Sequence, residues 1–79
     1  MKNSDTPSPR VLAEFVRGRR TANRLSQREL GELARVGTRL ISEIERGKLT
    51  LRLDTVNRVL AVFGKMLGPV DVPRDKEDD

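Results

Sequence analysis

Apolar residues recur at helical spacing in four stretches of this chain, and each stretch is bounded by residues that start or stop helices. In the first, Leu12, Phe15 and Val16 mark one side of residues 9–22, with Ser8 as N-cap and Pro9 in the first turn. Arg10, Arg17, Gly18 and Arg19 fall on or near the solvent side, and Gly18 weakens the helix by roughly 1 kcal/mol relative to alanine, so it depends on tertiary contacts. In the second, Ser26 stands three residues before Glu29, a capping box that starts a helix at Gln27. Leu30, Leu33 and Ala34 then share the apolar side while Arg28, Glu32 and Arg35 point away. Gly37 is poor in a helix interior but acceptable as an N-cap, so a third helix follows from Thr38. Its Ile41 and Ile44, with Leu40 beside them, are set to pack against Leu30 and Leu33. The fourth covers residues 55–63, with Asp54 as cap or first-turn acid, Val56, Val59, Leu60 and Phe63 inward, Asn57 and Arg58 outward, and Gly64 as the stop. The pattern predicts an all-α fold of four to five helices over residues 9–64.

Residues 65–72 hold further apolar positions after this core is complete, and Pro69 excludes a central strand. A short edge strand through Met66, Leu67 and Val70, paired with its two-fold mate, would satisfy both backbone and side chains. The alternative is a tail with incidental valines. Residues 1–8 and 73–79 are polar and charged and are expected to be disordered.

Composition narrows the chemistry. The 79 residues make one domain and include neither Cys nor His, so disulfides, the common zinc sites and most nucleophilic triads are not available. The carboxylates show no pocket-like pairing; an enzyme is not expected, and no cofactor or metal is called for. No apolar run has membrane-spanning length and no signal-peptide core is present, which points to a soluble cytoplasmic protein. The formal charge of +4 is unevenly spread: residues 10–52 carry eleven Arg or Lys against five Glu, while residues 71–79 carry five acids against two bases. A basic domain suggests a polyanionic partner, and an acidic tail either repels that partner or aids solubility.

The outer face of the third helix carries Thr38, Arg39, Ser42, Glu43 and Arg46. A small residue, a hydroxyl and an arginine at a helix start suit the major groove of B-DNA, where arginine bonds guanine bidentately and a threonine methyl meets thymine. Thr38, Arg39 and Ser42 are the candidates for base contacts, and Gln27 for a base edge or phosphate. Gly37 permits close backbone approach, and Arg24, Arg28, Lys48 and Arg52 would hold the phosphates. The competing readings are an ordinary solvated helix and a helical adaptor whose basic face meets an acidic protein.

Leu25-Ser26-Gln27, Glu29-Leu30, Leu33-Ala34, Val36, Ile41-Ser42 and Ile44-Glu45-Arg46-Gly47 resemble the signature of the phage-repressor-like (Cro/cI, or XRE) helix-turn-helix family. Residues 48–67, through their Leu-Arg-Leu-Asp linker and apolar tail, are similar to HipB-type antitoxins, the DNA-binding partners of HipA-like kinase toxins. The resemblance implies a homodimeric repressor on an inverted-repeat operator, with a C-terminal strand from each subunit in a small shared sheet. A stand-alone regulator of the same family is the alternative role. It also implies a buried Arg20–Glu45 pair; two solvated charges are the other reading, although Arg20 lies one turn beyond Val16 on the packed face. The family commonly has glycine where Arg24 and Arg35 stand. Either these arginines take a left-handed conformation, offset by nearby phosphates, or, at the first turn, Asn23 takes it instead.

Overall fold

The computed structural model describes residues 9–71, and the expectations for residues 1–8 and 73–79 lie outside them. Four helices form among the described residues: α1 (Pro9–Ala22), α2 (Gln27–Ala34), α3 (Thr38–Glu45) and α4 (Leu53–Val62). None is long and apolar enough to cross a membrane. Helix α3 packs on both α1 and α2, and α2 packs on α4. Val16, Leu30, Ile41, Ile44, Val56 and Val59 lie fully buried where these helices meet. Each such side chain contributes roughly 1.5–3 kcal/mol on leaving water. Leu12, Phe15, Leu40, Phe63 and Leu67 close the edges of this core, and the rings of Phe15 and Phe63 meet edge to face at 6.3 Å.

Helix α2 begins with both halves of its capping box: the Glu29 amide donates to Ser26 Oγ at 2.9 Å and the Ser26 amide donates to Glu29 Oε1 at 2.7 Å. Helix α4 starts two residues before the expected Thr55, with Arg52 at the N-cap, so Asp54 is its first-turn acid. The four C-termini share one solution. After each helix a residue with positive φ lets two amides return to the last turn: Leu25 and Arg24 to Arg20 and Thr21, Val36 and Arg35 to Gly31 and Glu32, Lys48 and Gly47 to Glu43 and Ile44, Lys65 and Gly64 to Leu60 and Ala61. Glycine fills that position at Gly47 and Gly64, with φ of 78° and 74°, but arginine fills it at Arg24 and Arg35, with φ of 59° and 61°. Asn23 does not take the strained conformation. Its side chain instead donates to the Arg19 carbonyl at 2.8 Å.

Leu33 departs from expectation, being 59% exposed rather than packed on Ile41 and Ile44. Helix α2 buries Leu30, Gly31 and Ala34, and because each residue advances by about 100°, Leu33 falls beyond the edge of that stripe. Gly31 turns inward because the chain between α2 and α3 crosses over it. A Cβ there would stand 2.9 Å from the Val36 carbonyl oxygen, a distance that forces backbone to move. In α1, Ala13 is buried along with Val16, while Leu12 and Phe15 are only partly covered.

Residues 65–71 form no strand in the described chain. Leu67 packs against the core and its amide donates to Asn57 Oδ1 at 2.7 Å, so Asn57 faces this segment and not solvent as expected. Met66 and Val70 are exposed.

Candidate nucleic-acid interface

Helix α3 is amphipathic in an uncommon way, since its inner face contains a carboxylate. Ile41, Ile44 and Glu45 are all buried. The Glu45 side chain has no exposed surface and receives Arg20 as a fork, Nε at 2.7 Å on Oε2 and Nη2 at 3.0 Å on Oε1. Arg20 also donates from Nη1 to the Leu25 carbonyl at 2.9 Å, so one guanidinium ties α1, the turn into α2 and the end of α3 together. Burial alone would push the Glu45 carboxyl up. The hydrogen bonds from Arg20 and Gln27, the Arg20 charge and the bond from Arg17 together hold it below the ordinary carboxylate range. Donating that hydrogen bond to Glu45, with the Glu45 charge beside it, raises the Arg20 guanidinium further, against the effect of burial. Two members of this cluster escape sequence inspection. Arg17 reaches Glu45 Oε1 at 3.5 Å, although its position suggests the solvent side, and Gln27 Nε2 donates to the same oxygen at 3.1 Å. Gln27, a candidate for DNA contact, is thereby half-buried and directs one amide hydrogen inward.

The outer face is open. Thr38, Arg39 and Arg46 are exposed and Ser42 is half-buried. Gly37 is the extended N-cap and offers no side chain to the first turn of α3, so the amides of that turn have no side-chain cap, and a helix start of this kind favours anions. Cations gather on both flanks. On one side Arg35, Arg52 and Arg58 line a groove of about 340 Å³ together with Gly37 and Glu43; on the other, Arg10, Arg17 and Arg46 line one of about 380 Å³ beside Glu45. Of these, Arg58 was expected only to face outward, and it does so while donating to the Arg35 carbonyl at 3.4 Å.

Several candidate cations are partnered within the chain. Arg28 pairs with Glu32 at 3.4 Å, and Arg52 with Asp54 at 2.9 Å. That bond from Arg52, opposed by burial and aided by the Arg52 charge, the Thr55 amide and the Arg58 charge, holds Asp54 below its ordinary value. Arg39 and Lys48 share one acceptor, Glu43 Oε2, at 3.2 and 3.4 Å. Arg24 makes no ion pair among the described residues and stands exposed at the α1–α2 turn. Exposed i,i+4 pairs such as Arg28–Glu32 are worth only about 0.3–0.5 kcal/mol, so a phosphate can compete for them.

Two short helices joined by a tight turn, the second buried on one side and polar on the other between cationic flanks, define a helix-turn-helix unit. The model of the family described as a helix-turn-helix domain matches residues 11–68, most of the chain, and this protein belongs to that family. No curated protein matches the chain.

Proposed function

We propose that this protein is a sequence-specific, double-stranded DNA-binding repressor that acts as a homodimer and reads base edges with α3. The observation that carries the reading is the face of α3 bearing Thr38, Arg39 and Ser42, exposed or half-exposed between two arginine-lined grooves. In this reading Thr38, Arg39 and Ser42 meet bases and Gln27 stands at the edge of the contact. Gly37 lets the backbone approach, while Arg24, Arg28, Lys48 and Arg52 hold phosphates. Exposed Met66 and Val70, after the core is complete, support pairing between two subunits through residues 65–71. Two heads are needed because a single recognition helix contacts few base pairs.

Within this role, similarity of residues 48–67 to HipB-type antitoxins supports an autoregulating antitoxin that binds a HipA-like kinase toxin in the cytoplasm. A kinase reading frame directly downstream of the gene separates that role from a stand-alone regulator.

The test is selection from a pool of duplexes with a randomised centre. The expected product is an inverted repeat whose half-sites lie about 34 Å, or roughly 10–10.5 base pairs, apart. Enrichment of a single unrepeated half-site would overturn the dimer. No enrichment at all would overturn sequence reading and move a helical protein-binding adaptor to the front.

A further inference from the structure

Among the described residues, the ion pairs on the outer face of α3 differ from Arg10–Glu14, Arg28–Glu32 and Arg52–Asp54, in which both partners stand mostly in solvent. The Glu43 side chain is 14% exposed, whereas its partners Arg39 and Lys48 are 89% and 45% exposed. A largely buried carboxylate therefore holds two cations that reach into solvent. Lys48 is held a second time, by its backbone amide on the Glu43 carbonyl at 3.1 Å.

The geometry points to Glu43 as a positioning residue for base recognition: by taking the Nε–H of Arg39, it leaves the two terminal guanidinium nitrogens as the outward edge, the edge that bonds guanine O6 and N7. This inference rests on the reading of α3 as the DNA-contacting helix. Arginine loses substantial rotamer freedom on binding, and a fixed fork loses less per hydrogen bond formed. A carboxylate close to the DNA also repels phosphates, so Glu43 weakens binding to every sequence while favouring the one that matches the oriented Arg39. Lys48 on the same oxygen offsets part of that repulsion. Burial pushes the Glu43 carboxyl up, but the Lys48 charge and hydrogen bond and the Arg39 bond hold it below its ordinary value, so it stays ionised at neutral pH.

The experiment compares the natural chain, Glu43→Gln, Arg39→Ala and the double variant against a duplex selected by the natural chain and a scrambled duplex of equal composition. Glu43→Gln should raise binding to the scrambled duplex and reduce the preference for the selected one by about tenfold, with no such reduction in the Arg39→Ala background. An unchanged preference, or an equal loss without Arg39, would overturn the inference while leaving α3 as the reader. Equal binding of the natural chain to both duplexes would overturn the reader and the inference with it. A second readout uses the natural chain without DNA. By NMR the Arg39 Nε–H should exchange with solvent more slowly than that of Arg24, and equal rates would also overturn the inference.

Discussion

The two sides of α3 carry a glutamate each, and the contrast between them separates what holds this protein together from what it presents. Glu45 is fully buried, forked by Arg20 and further bonded by Gln27 and Arg17. Its partners come from α1 and α2, so it fixes where α3 sits. Glu43, two residues earlier, is bonded among the described residues by Arg39 and Lys48, cations that reach into solvent and belong to α3 or the segment just after it. Its partners hold no other element in place, and Glu43 orients them with their outer atoms towards solvent. Both carboxylates lie below the ordinary value for a similar reason, arginine or lysine overcoming burial. Their surroundings give that shared chemistry different uses.

Removing Arg20 should produce the largest effect, because it strands a buried charge. Arg20→Ala is expected to cost about 3–5 kcal/mol in urea or thermal unfolding. Since the folded Glu45 carboxyl lies below its unfolded value of about 4.3, its contribution is fully present above that pH and is lost as pH falls through the folded value. The natural chain should therefore lose stability below about pH 4, and Glu45→Gln should flatten that decline. An acid profile unchanged by Glu45→Gln would break the contrast between the two faces.

Two glycines sharpen it on a smaller scale. Gly31→Ala pushes a methyl group against the Val36 carbonyl at the turn that sets α3 in place, and should cost about 1–3 kcal/mol. Gly18, in the middle of α1, has nothing within 4 Å of its Cβ position, so Gly18→Ala should stabilise by roughly 0.5–1 kcal/mol. Chemical unfolding of the two variants gives opposite signs if the inner side of α3 depends on close backbone approach.

Local signals in the sequence located most of the fold. Caps at Ser26 and Gly37 and stops at Gly47 and Gly64 act within a few residues of themselves, so the starts of α2 and α3 and the ends of α3 and α4 could be read directly. What eluded reading depends on partners distant in sequence. Leu33 fits an apolar stripe by spacing, yet the stripe is rotated because the α2–α3 turn lies on Gly31, and a periodicity cannot report which side another segment will cross. Asn57 looked like a surface residue until residues 65–71 folded back to place the Leu67 amide on it. Helical spacing assigned Glu43 to the outer face with Arg39, but its share of burial and its link to Lys48 depend on how the chain turns after Gly47. Arg24 and Arg35 are a different case. The pattern of amides returning to each helix end demands positive φ, at a cost on the order of 1 kcal/mol each; arginine itself gives no sign of it, and the expectation came from the glycine that the resembled family has at both positions.

The measurement that tests the central claim most directly is fluorescence anisotropy of Arg39→Ala and Lys48→Ala on a selected operator duplex and on its single-base variants, at two salt concentrations. The expected result is a loss of about 1–3 kcal/mol for Arg39→Ala confined to one base position, and for Lys48→Ala a uniform loss with a salt slope smaller by about one. If both substitutions weakened binding to every duplex equally, the open face of α3 would be only a basic surface and not a reader of sequence.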